Sequence, residues 1–106
     1  LLACAAAGVQ VVSADDLLHA RGARVVADVN AVPPEGIAGV GVMHNGKPVP
    51  GSDALGYGAL AIGNVKYQTQ HRLLVRMQQA EKAVVLSFAE AFAVAREFLV
   101  EKAAGK

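Results

Sequence analysis

Two adjacent prolines, Pro33 and Pro34, followed closely by Gly36, Gly39 and Gly41, forbid regular structure between Asn30 and Gly41. The prolines remove two amide donors and fix two φ angles, and the glycines interrupt the residues after them. Any element before this stretch must therefore end near Val29, and any element after it must start afresh.

The leading segment reads as strand, short helix, strand. Leu1 to Ala5 is a continuous apolar run ending in small residues, the pattern of a strand buried on both faces. Gly8 and a second apolar run, Val9 to Val12, come next. Ser13 and Asp16 form an S-x-x-D capping box that opens a helix over Ala14 to Ala20, closed by Gly22. Arg24 to Val29, filled by Val25, Val26 and Val29, supplies the next strand. Such an alternation predicts a parallel α/β sheet.

Beyond the prolines, Asn45-Gly46 within Gly41 to Val49 signals a type I′ hairpin turn. A loop rich in glycine and proline runs on to Gly58, and Ala59 to Ile62 reads as a brief strand ended by Gly63-Asn64. From Val65 to about Gln79 the spacing predicts a helix with Leu73, Leu74 and Met77 on one face. Ala83 to Leu86 has the form of a last short strand. Ser87 and Glu90 make a second capping box, opening a helix to about Ala103 with Phe88, Phe92, Ala95 and Leu99 along one stripe.

Composition narrows the function classes. Of 106 residues, 54% are hydrophobic and 18% charged, an apolar balance for one small domain whose surface should be largely wet. No run approaches the roughly 18 apolar residues of a spanning helix, which leaves a soluble piece whose apolar surface meets something further. Net charge is +1, basic residues are scattered and aromatics are 5%, so a nucleic-acid footprint is not expected. The single cysteine, Cys4, excludes an internal disulfide, fits a reducing cytosol and reads as a small buried hydrophobe. Leu1 is preceded by no Met or basic region, so the start resembles a chain entered midway rather than a signal peptide.

Two segments could carry chemistry. Asp28-Val29-Asn30-Ala31-Val32-Pro33-Pro34-Glu35-Gly36-Ile37 directly follows a predicted strand, and ligands of open parallel sheets bind outside the carboxyl ends of strands. A rigid, donor-poor loop there can hold carbonyls and an amide side chain against a planar ring; from local pattern alone, a plain connection between strand and hairpin stays open. Gly56 to Lys66 places glycines before a helix, but its spacing matches neither G-x-G-x-x-G nor the Walker pattern. Lys66, read as first-turn, is oddly placed against the helix dipole, yet a solvated lysine on a helix face remains open. His19, His44 and His71 have no metal-ligand spacing; His44 reads as a solvated residue beside a hairpin turn, and His19 and His71 as helix-face residues. Ser13 and Ser87 are caps, and no Gly-x-Ser-x-Gly supports hydrolase chemistry.

The string Asp28 to Val40, the string Gly58 to Lys66, and His71-Arg72 in the following helix occur in an order and separation that resemble the methylene-tetrahydromethanopterin dehydrogenases of methylotrophic bacteria. The resemblance extends from Leu1-Leu2-Ala3-Cys4-Ala5 and Gly8 to the final helix, although Asn64-Val65 stands where some members have a second Gly and Leu. It implies a cytoplasmic, homo-oligomeric (trimeric) oxidoreductase of one-carbon metabolism. Its reaction passes a hydride from methylene-tetrahydromethanopterin to NADP or NAD, without metal, nucleic acid or membrane. The expected fold is α/β, part of a Rossmann-type parallel-sheet coenzyme domain with a β-hairpin insertion and C-terminal helices. Residues 1–106 would be its C-terminal portion, with the pterin domain and glycine-rich fingerprint upstream. Residue by residue, Lys66 resembles the family's active-site lysine, Asn30, Ala31, Val32 and Pro33 the nicotinamide loop, and Ala5, Ala6 and Gly8 the turn that passes the coenzyme.

Two other readings stand beside it. One is another Rossmann oxidoreductase, such as a folate-linked methylene dehydrogenase, and the other a small non-enzymatic α/β interaction domain. A glycine-rich fingerprint in the coding sequence upstream of Leu1 would exclude the last. Assays with the two pterin substrates would separate the first two.

Overall fold

The structure, a computed structural model, describes residues 1–105. It is α/β, as expected, with a four-stranded, mostly parallel sheet. Strands β1 (Leu2–Ala3), β2 (Val25–Asp28), β3 (Asn45–Pro48) and β4 (Leu55–Tyr57) combine with helices α1 (Ala14–His19), α2 (Ala59–Gln79) and α3 (Phe88–Ala103). Sheet order is β1-β2-β4-β3. β1 and β4 both pair with β2 in parallel, and β3 is an antiparallel edge on β4. This arrangement is compatible with a Rossmann-like fold. Among the described residues, no helix is long and apolar enough to cross a membrane.

The chain divides into two compact units, Leu1–Gly63 and Asn64–Lys106. In the first, Ala3, Leu17, Val26, Ile37, Val40, Val49 and Ala54 form one buried cluster. Val26 is the central strand's inward residue and is fully buried. α1 adds Leu17 to the cluster, and Ser13 starts that helix as expected: its hydroxyl accepts from Asp16 N–H at 3.1 Å while Asp16 accepts from Ser13 N–H at 2.8 Å. Those bonds from Ser13 hold the Asp16 carboxyl below the usual carboxylate range.

In the second unit, Glu90 likewise accepts from the N–H and hydroxyl of Ser87, opening α3 where the sequence predicts. Ion pairs Arg72–Glu101 (2.6 Å) and Arg76–Glu97 (2.8 Å) join α2 to α3. Both are largely exposed and contribute little individually. The apolar stripe of α3 is mostly exposed: Phe88 is 82% accessible and Phe92 54%, whereas Val94 is fully buried.

Several expectations are corrected. Asn45-Gly46 is not a hairpin tip but lies within β3, at a register shift between Asn45 and Lys47. Gly46, at φ +75°, uses its left-handed freedom to make a bulge. The β3–β4 turn comes later, where Gly51 takes φ +74° and Ser52 Oγ accepts from Ala54 N–H at 2.9 Å. The loop read as running to Gly58 therefore contains β4. Ala83 to Leu86 forms no strand, and Cys4 is exposed rather than buried.

Ala59 to Ile62 is the opening of α2, not a strand. Short apolar runs do not distinguish the two by periodicity, and alanine and leucine are strong helix formers. Gly63 lies inside this helix, and a Cβ there would meet nothing within 4 Å. Gly63→Ala should consequently raise stability by about 0.5–1 kcal/mol, the usual glycine penalty in a helix interior. Chemical denaturation checks this, and a loss of stability would show that the position needs glycine for another reason.

Candidate functional site

Parallel pairing of β1 and β2 sends both strands' carboxyl ends to one edge of the sheet. The turn after β1 contains Ala5, Ala6 and Gly8; the loop after β2 contains Asn30, Ala31, Val32 and Pro33. Asn30 joins them. Its Oδ1 accepts from Gly8 N–H at 3.2 Å and from Val32 N–H at 2.9 Å, and its Nδ2 donates to Pro34 O at 2.9 Å. Asn30 is buried, so its amide group shapes the loops instead of presenting to solvent, whereas Ala31, Val32 and Pro33 are exposed. Gly8 adopts φ +75°, the conformation that lets the first turn close against the second loop.

Beneath this loop sits Asp28, 1% exposed at the end of β2. Its Oδ1 accepts from Asn30 N–H at 2.9 Å, and its Oδ2 from Gly36 N–H at 2.7 Å and Ile37 N–H at 3.2 Å. The carboxylate thus gathers both ends of the proline-containing stretch onto one side chain. A Cβ on Gly36 would stand 2.6 Å from Asp28 Oδ1, so only glycine admits this approach. A bridge between Val12 and Ile37 fastens the loop's far end to the run before α1. The Pro33–Pro34 peptide bond is cis.

A cleft of about 410 Å³ opens beside the loop. Ala31, Val32 and Pro33 line it from the loop, and Val42, Met43 and His44 from the segment before β3. Its size falls within the roughly 300–1,000 Å³ typical of small-molecule sites, and its lining, mainly apolar with a few polar groups, suits a planar ring bearing an amide. His44 is half-buried in this wall rather than freely solvated.

Lys66 belongs to the second unit. It follows Ala59 by seven residues and so lies in the body of α2, not in the first turn as expected. Its apparent conflict with the helix dipole disappears, because that field fades beyond the first turn. The side chain is exposed and, among the described residues, makes no hydrogen bond or ion pair. His19 and His71 are exposed on helices, as expected. No group of three or more His, Cys, Asp or Glu side chains is arranged for a metal among the described residues.

Sequence reasoning marked the loop but missed two residues within the site. Asp28 carried a readable signal, an acid ending an apolar strand just ahead of a loop with free amides. His44 carried none, because its role depends on how a later turn folds back.

No family model matches the sequence. An NAD(P)-dependent methylenetetrahydromethanopterin dehydrogenase of Methylorubrum extorquens is 45% identical over 97 residues, which is 92% of this chain and 33% of the relative. The resemblance read from the motifs is borne out. The chain spans about a third of the length of that dehydrogenase, and the similarity to it extends well beyond the two motif strings.

Proposed function

We propose that this chain supplies coenzyme-side loops and a pterin-orienting lysine to an NAD(P)-dependent methylenetetrahydromethanopterin dehydrogenase. The observation that carries this reading is 45% identity across 92% of the chain. The geometry supports it: the loop at the carboxyl end of β2, in a parallel pair of strands, forms with the segment before β3 a cleft of a size that suits a nicotinamide ring. Within the reading, residues 1–106 are the C-terminal portion of the coenzyme domain, and the protein is a cytoplasmic homo-oligomer, a trimer by family resemblance.

NADP or NAD, when bound, supplies the ring carbon that accepts a hydride from the methylene group of the substrate. The protein's part is to orient the two reactants and keep water out, since hydride transfer moves no proton. Ala31, Val32 and Pro33 would contact the nicotinamide. Asn30 would hold their backbone in place through its bonds to Gly8, Val32 and Pro34. Ala5, Ala6 and Gly8 would border the coenzyme from the β1 side.

Val32 tests the loop's assignment. It is 51% exposed, so Val32→Asp should leave stability within about 0.5 kcal/mol of wild type. In the intact protein it should nevertheless weaken NADP binding about tenfold, by setting a hydrated carboxylate where a ring must lie. Calorimetric titration and a melting curve measure both quantities. Unchanged coenzyme affinity would remove the loop from the site.

A further inference from the structure

The segment between the proline loop and β3 is folded more tightly than its glycine content suggests. His44 N–H donates to Gly41 O at 3.0 Å, closing a turn. The His44 ring then folds back over that turn, and Gly41 N–H donates to His44 Nδ1 at 3.1 Å. A Cβ on Gly41 would lie 3.2–3.6 Å from three atoms of the ring, so the imidazole rests directly over the glycine. The turn is also anchored to the start of α2: His44 O accepts from Gly58 N–H at 2.8 Å and Val42 O from Leu60 N–H at 2.9 Å. Gly58 has no room for a side chain, because a Cβ would collide with Gly41 O and Val42.

An Nδ1 that accepts a hydrogen bond carries no proton, and this sets the tautomer of the neutral ring with its proton on Nε2. His44 lines the same cleft as Ala31, Val32 and Pro33. We infer that His44 is a binding residue of this cleft, offering its Nε2–H to the carbonyl oxygen of a ring-borne amide. The inference rests on the function proposed above, which brings two such groups to the protein, the carboxamide of the coenzyme and the lactam of the pterin. A donor fixed by the turn before the ligand arrives costs little ordering on binding.

The test compares His44→Leu and His44→Gln with wild type in the intact protein. It measures the dissociation constant of NADP by direct titration and the KM for methylenetetrahydromethanopterin. Nitrogen-15 NMR of the wild-type imidazoles reports the tautomer. His44→Leu should raise one of the two constants about tenfold, as expected for one lost hydrogen bond in a partly dry site. His44→Gln, which keeps an N–H donor, should remain within about threefold. A rise in the NADP constant identifies the carboxamide as the acceptor, and a rise in the pterin KM alone identifies the lactam. No change in either constant overturns the inference, as does a ring protonated on Nδ1. Equal losses in both variants, accompanied by a lower melting temperature, overturn it in favour of a purely structural histidine. The coenzyme arm decides the matter even if the wild type fails to turn over the pterin, an outcome that sinks the function reading alone.

Discussion

Asp28→Ala should cost the fold about 3 kcal/mol or more, since three buried N–H donors lose their acceptor at roughly 1–3 kcal/mol each. That is a large share of the 5–15 kcal/mol typical of a whole domain. Water cannot easily replace the carboxylate, because Asp28 is 1% exposed and Gly36 packs directly against it. Asp28→Asn should fall between the two. It keeps the shape and one acceptor, but turns an NH₂ group toward either the Asn30 donor or the Gly36 and Ile37 pair. Denaturant unfolding of the intact protein gives the comparison, with the slope checked for a constant unfolded state. An Asp28→Ala midpoint close to wild type would mean that the loop is held by something other than this side chain.

Lys66→Met should lower turnover at least about tenfold, equivalent to some 1.4 kcal/mol of barrier. The proposed reaction would end in a methenyl cation, and an ammonium set directly beside it would oppose that chemistry through like-charge repulsion in a dry site. On the proposed reading, Lys66 would instead donate hydrogen bonds to a carbonyl or ring nitrogen of the pterin, away from the reacting carbon. Lys66 is exposed on α2 and, among the described residues, its ammonium has no hydrogen bond or ion pair, which suits that purpose. Lys66→Gln retains a donor and should do less harm, and coenzyme affinity should change little in either variant. Steady-state kinetics with a separate coenzyme titration read these effects. Normal turnover in Lys66→Met would return the residue to an ordinary solvated helix face, and a loss confined to coenzyme binding would put it on the phosphates.

The parts of the fold legible in the sequence were those fixed by local chemistry. Ser13 with Asp16 and Ser87 with Glu90 set two helix starts, because a capping box is satisfied within one turn. The β1-α1-β2 unit followed from apolar runs on either side of a short capped helix. What was misread depends on distant partners. Gly46 signals left-handed backbone equally well for a hairpin tip and a bulge, and only pairing with β4 decides between them. Ala59 to Ile62 is too short an apolar run for its period to tell helix from strand, and the amides of Gly58 and Leu60 at the helix start donate to His44 and Val42, carbonyls that no local pattern announces. In the site, the Asp28 to Ile37 string drew attention as a rigid loop. The division of labour inside it, with Asp28 and Asn30 turned inward and Ala31 to Pro33 outward, depends on amides of Gly8, Gly36 and Ile37 that the string itself or an earlier turn brings back onto those two side chains.

The most direct test of the central claim is an assay of the intact protein for NAD(P)-linked oxidation, offering methylenetetrahydromethanopterin and methylenetetrahydrofolate in parallel. The reading predicts formation of reduced nicotinamide coenzyme with the methanopterin substrate and a much lower kcat/KM with the folate. Preference for the folate, or no coenzyme reduction with either substrate, would contradict it.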